Sequence, residues 1–157
     1  MIQSPDGFLR ALLVVLSFGG LAAALYFTLA YYGRIKKMRW VPEILCARES
    51  SSCVTVLQTP YARVFGLPNS LLGVLYYGIL IVWAVGYSWP LSWFGDGDVL
   101  PGYRSFSNLL ILASAFTVGL GFYLIYALRR KLRVHCPLCY AAHAINAALL
   151  VALIILH

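Results

Sequence analysis

Charge is what this chain has least of. Only 11% of its 157 residues are Asp, Glu, Lys or Arg, against 62% apolar. Soluble domains carry about a quarter charged residues, so a surface solvated on all sides is excluded. The scarcity is also uneven: residues 11–33, 64–95, 105–128 and 134–157 hold no Asp, Glu, Lys or Arg at all. A helix needs roughly 20 apolar residues to cross the ~30 Å hydrocarbon core. A charge at its centre costs about 2.5–3.5 kcal/mol on the insertion scale. All four windows meet both conditions. Carboxylates are scarcer still, five in all and none inside a window, which removes paired acid–base hydrolysis from consideration. No internal repeat and no low-complexity tail is found, and the first apolar stretch is too long for a signal peptide and lacks an obvious small-residue cleavage site.

What is present points to an all-α fold, an integral-membrane four-helix bundle. One domain is expected over residues 1–157, with transmembrane helices at about 9–32, 70–89, 106–128 and 136–156 and no appended soluble domain. The longest connection, residues 34–69, opens with a basic cluster and carries Cys46 and Cys53 on either side of a polar "ARESSS". Its later part, "VTVLQTPYARVF", is apolar enough for a short interfacial helix interrupted near Pro60. Trp89 and Trp93 beside the 90–105 loop suit a membrane-interface belt.

The formal charge of +7 reports orientation rather than nucleic-acid binding. With four spans, the termini and the 90–105 loop share one side, which holds only Arg10 and Arg104 of the twelve Lys and Arg residues. The other ten flank the first and third connections, among them Arg34, Lys36, Arg48, Arg63 and the run Arg129, Arg130, Lys131 and Arg133. By the positive-inside rule that side is expected in the cytoplasm; an extracytoplasmic placement is the alternative.

All four cysteines fall on that side, as two close pairs. Cys136 stands near the expected N-cap of the last helix with Pro137 at its favoured first position, where the helix dipole stabilises a thiolate. Thiol–disulfide exchange needs such an attacker. Cys139 lies about 4.5 Å further along the axis, and His143 and Asn146 follow on its face at i+4 and i+7. Polar groups at lipid depth are costly unless partnered or functional. A lipid-soluble quinone, with two carbonyl oxygens needing donors, suits such a stripe. Blander roles stand beside these. The helix pair could be a structural disulfide, or join His135 and a loop cysteine around zinc. Cys46 and Cys53 could form a static disulfide. Asn69 could cap the second helix. His143 and Asn146 could pack between helices. Gly19, Gly20, Gly73, Gly119 and Gly121 read as close helix contacts.

Taken together, "CARESSSC", "NSLLG" and "CPLC" running into "AIN" resemble the vitamin K epoxide reductase family of four-helix membrane thiol oxidoreductases, over nearly the whole chain. The resemblance is to a stand-alone member without a fused thioredoxin-like domain. It implies a relay in which a separate thioredoxin-like protein or reduced substrate protein passes electrons to Cys46. Cys53 then exchanges with Cys136, and Cys139 reduces a membrane quinone, ubiquinone, menaquinone or a relative. It also implies that Asn69, with Ser70 beside it, contacts the quinone. His143 stands where vertebrate members have a tyrosine, which disfavours vitamin K epoxide itself as the substrate. No metal site is expected. The alternatives are a DsbB-like disulfide-forming protein, whose Cys-x-x-Cys comes first in sequence rather than last, and a non-enzymatic membrane scaffold with a disulfide or zinc clasp.

Overall fold

The computed structural model describes residues 5–34, 59–64, 66–88, 103–133 and 135–157. Cys46, Cys53 and most of the connection that carries them lie outside those residues. Four long helices dominate: α1 (Pro5–Tyr31), α2 (Asn69–Ser88), α3 (Tyr103–Tyr126) and α4 (Pro137–Leu156). The segments Gly7–Tyr31, Phe106–Leu132 and Pro137–Leu156 are each long and apolar enough to cross a membrane. The 20 residues of α2 contain no charge and reach about 30 Å at 1.5 Å per residue. The protein is an all-α, multi-pass membrane bundle.

Its surface is apolar and its interior is small and partly polar. Phe8, Val15, Phe18, Leu75, Val82, Leu112, Phe122 and Ile155 point outward, whereas Ser17 and Ser114 are fully buried. Lipid is as apolar as leucine, so helix association rests on close packing and interhelical hydrogen bonds, which small residues permit. α1 packs against both α2 and α4, and α4 packs against α3. At one end of the bundle Leu13, Leu80, Ala84, Leu110, Leu149 and Leu153 fill the centre as a single cluster.

The ends of the helices at the opposite, cysteine-bearing side are built with care. α1 stops in a Schellman motif: the Arg34 N–H donates to the Leu29 carbonyl at 2.9 Å and the Gly33 N–H to that of Ala30 at 3.1 Å. Gly33 takes the left-handed φ of 65° that this closure requires. Where a short interfacial helix is expected near Pro60, the structure has a single 3-10 turn, Pro60–Ala62. Two-residue antiparallel strands follow, β1 (Arg63–Val64) and β2 (Leu67–Pro68), in the register Arg63 with Pro68 and Val64 with Leu67. Gly66, at φ 80°, makes the tight reversal between them. α3 does not end where its apolar window ends. It runs on as a π-helical turn, Ala127–Leu132, which carries Arg129, Arg130 and Lys131 and closes with Arg133 in the left-handed region.

Candidate active site

α4 begins at Cys136. This residue has extended backbone angles and caps the helix through its own sulfur, which accepts from the Cys139 N–H at 3.3 Å, while Pro137 fills the first turn. A proline there gives up an N–H that would have had no helical partner. Cys136 and Cys139 are joined by a disulfide, with their Cα atoms 5.3 Å apart. Of the two, Cys136 is fully buried and packs against Phe27 of α1. Cys139 is less enclosed, because it forms part of the wall of a cavity.

That cavity has a volume of about 320 Å³ and takes lining from all four helices, within the range of small-molecule sites. α4 contributes Cys139, Ala142, His143 and Asn146, one continuous helical face. α2 contributes Asn69, Ser70, Leu72, Gly73, Tyr76 and Tyr77, and Ala62 from the 3-10 turn closes over it near Asn69. Phe27, Leu120 and Leu124 supply apolar walls. The site residues expected from sequence that fall in the described part, Asn69, Ser70, Cys139 and His143, thus surround one space, with Cys136 directly behind Cys139.

Two of the polar side chains around that space lack partners among the described residues: Ser70 Oγ and His143 Nδ1 are buried without a hydrogen bond. A serine inside a helix usually satisfies itself on the carbonyl four residues back, but Ser70 is the second residue of α2 and has no helical turn behind it. His143 is held by a glycine. A Cβ at Gly121 of α3 would lie 2.7 Å from His143 Nδ1 and 3.2 Å from its Cγ, so the Nδ1 edge of the imidazole comes this close to α3 only because residue 121 has no side chain. With Nδ1 turned to Gly121, Nε2 is the ring nitrogen left to meet a partner.

The inner end of the cavity is cross-linked by tyrosines. Tyr76 lies 2.7 Å from Ser114 Oγ of α3, and Ser114 in turn donates to the Leu110 carbonyl at 2.7 Å. Because the serine proton is committed, the Tyr76 hydroxyl is the donor, and it ties α2 to α3. Tyr77 donates to Asn146 Oδ1 at 2.5 Å, tying α2 to α4. Its ring covers Gly20 of α1, where any Cβ would overlap it. The sequence reading missed both tyrosines. Asn146, expected on the Cys139 stripe and as a contact between helices, does both: it lines the cavity and accepts from Tyr77. Gly73 does meet a neighbour, Ala24 Cβ, at 3.3 Å, while Gly119 has open space where a Cβ would go. A zinc site would need a loop cysteine outside the described residues; among those described, no three His, Cys, Asp or Glu side chains gather.

Against known families, residues 11–154 match the model of the vitamin K epoxide reductase family. The chain belongs to that family. No curated protein sequence matches it. Family membership and the paired cysteines together make this vitamin K epoxide reductase family member a membrane redox protein that acts on disulfides.

Proposed function

We propose that the chain is a quinone-dependent thiol:disulfide oxidoreductase that generates protein disulfides. In this reading a separate thioredoxin-like protein, or a reduced substrate protein, passes electrons to Cys46 and Cys53, and these exchange with Cys136 and Cys139. As the Cys136–Cys139 bond closes, two electrons and two protons leave the thiols, and a membrane quinone such as ubiquinone or menaquinone supplies the acceptor for both. The chain's own residues do the rest. Cys136 at the helix start is the exchange partner for Cys53, favoured as a thiolate by the dipole and by the Cys139 N–H that points at its sulfur. Cys139 is the sulfur that meets the acceptor. Asn69, Ser70 and His143 are the polar groups that orient it, and the apolar walls keep water from the reacting pair.

The observation that carries this reading is the position of Cys139 in the wall of an apolar cavity where two buried polar atoms, Ser70 Oγ and His143 Nδ1, have no partner among the described residues. A structural disulfide has no need of an enclosed space beside it. Quinone reduction by a dithiol in membranes holding the protein tests the function, and Cys139→Ala is expected to reduce it to background. The relay has its own test. With Cys46→Ala and Cys139→Ala combined, Cys53 and Cys136 should accumulate as a disulfide visible by non-reducing mass spectrometry. Failure to form it would overturn the handoff.

We further propose that the cysteine-bearing end faces the cytoplasm. Ten of twelve Lys and Arg residues flank that side, and the exposed Arg129, Arg130 and Lys131 sit in the turn that leads into α4. Such an orientation suits a cell whose intracellular proteins carry disulfides. A membrane-impermeant maleimide applied to intact cells should leave Cys46 unlabelled; ready labelling would reverse the orientation without touching the chemistry.

A further inference from the structure

We infer that Asn146 is a specificity-determining residue that recognises a carbonyl at the inner end of the cavity, and that Tyr77, seated on Gly20, is the positioning residue that aims it. The inference rests on the quinone reading above and adds a second point of recognition to it.

Asn146 lies seven residues beyond Cys139 on the same helical face, about 10.5 Å deeper along the axis, and both line the cavity. A carboxamide has one acceptor oxygen and one nitrogen with two N–H donors. The oxygen is taken, because the Tyr77 hydroxyl donates to it. The amide group is planar, so fixing the oxygen fixes the nitrogen. Asn146 makes no other hydrogen bond among the described residues, which leaves its N–H donors for the space it lines. Tyr77 in turn has little freedom. It is 4% exposed, and its ring fills the place that a side chain at residue 20 would take. Gly20, Tyr77 and Asn146 therefore form a chain of fixed groups from α1 through α2 to α4, ending in a donor.

The consequence concerns ligand class. The outer part of the cavity already holds Asn69, Ser70 and His143 near Cys139, and a ligand with one carbonyl is served there. A donor at the opposite end is useful to a ligand with carbonyls at both ends of a ring, which is a para-quinone. It also explains a polar pair so deep in an apolar bundle, where such groups are costly unless they serve a contact.

The test reads the ligand's carbonyls and its affinity, not turnover alone. Decylubiquinone carrying ¹³C at one or the other ring carbonyl is bound to the full chain in lipid nanodiscs and followed by infrared difference spectroscopy. Both carbonyl bands should be shifted down from their free positions in the wild type. In Asn146→Leu one of them should return to the free position, with Kd raised about tenfold, the loss of one net hydrogen bond. Tyr77→Phe keeps the ring on Gly20 and removes only the hydroxyl, so it guards against a misfolded Asn146 variant. The same band should broaden or move, with Kd raised about threefold and no further loss when combined with Asn146→Leu. Unchanged bands in both variants, with the wild type still binding, overturn the role of Asn146 and leave the quinone reading standing. A wild type that neither binds nor reduces the quinone overturns both.

Discussion

The two ends of this bundle are made from the same four helices and packed by opposite rules. Toward one face, Leu13, Leu80, Leu110, Leu149 and Leu153 gather as buried leucines at the centre. Toward the other, glycines, tyrosines, a histidine and two asparagines surround about 320 Å³ of cavity. A dry end fixes the spacing and tilt of the helices, and the other end can then stay open without collapsing. The difference teaches where stability and function are separable: substitutions at the closed end should cost stability without altering the site, and those at the open end should do the reverse.

The sharpest way to break that division is Leu149→Ala. Leu149 is fully buried in the closed end, and in soluble cores a leucine truncated to alanine costs about 2–5 kcal/mol. In lipid the transfer part of that cost shrinks and the lost packing remains, so about 2 kcal/mol is expected. Denaturant titration in mixed micelles measures it. Decylubiquinone affinity should stay within twofold of the wild type. A large loss of affinity at modest destabilisation would show that the two ends are not independent.

The same division marks what could be read from the sequence. The helices were legible because lipid forbids charge, and each charge-free window overlies one helix, with ends that differ by up to seven residues. The stripe Cys139, His143 and Asn146 was legible too, since polar residues at i, i+4 and i+7 stand out on an otherwise apolar helix. Tyr76 and Tyr77 were not. In α2 every position is apolar or aromatic along most of the length, so periodicity gives no inward face, and which tyrosine hydroxyl finds a partner depends on Ser114 and Asn146 from other helices. Gly119 and Gly121 show the same limit: two residues apart, they look alike in sequence, yet only Gly121 has a neighbour where a Cβ would go. The hairpin at Val64 and Leu67 turns at Gly66, a positive-φ glycine, just past a segment whose apolar residues suggest a helix.

Gly121→Ala sharpens the comparison from the open side. The added methyl would meet His143 at 2.7 Å, so the ring must tilt off α3 and into the cavity. Overall stability should change little, while decylubiquinone Kd should rise about tenfold, equivalent to about 1.4 kcal/mol. The control is thermodynamic coupling. In a His143→Ala background the same glycine substitution has nothing to displace and should be close to neutral, a non-additivity that contact between the two positions requires. Additive losses would mean that residue 121 acts through the helix backbone rather than through the imidazole.

The smallest effect is expected at the rim of the open end. Arg129 projects from the π-helical turn, and its guanidinium carbon stands 5.7 Å from the centroid of the Tyr140 ring, one residue beyond Cys139. An exposed cation–π contact contributes about 0.5–1 kcal/mol, so Arg129→Gln should lower stability by no more than that and leave quinone affinity alone. Arg130 is the comparison that separates stacking from charge. It is equally exposed and occupies the same turn, yet it has no ring against it among the described residues. If Arg130→Gln costs as much as Arg129→Gln, the turn is held by attraction to anionic headgroups, and both losses should fade as salt is raised. If only Arg129→Gln has a cost, and Arg129→Lys recovers part of it, the contact with Tyr140 is what steadies the connection into α4.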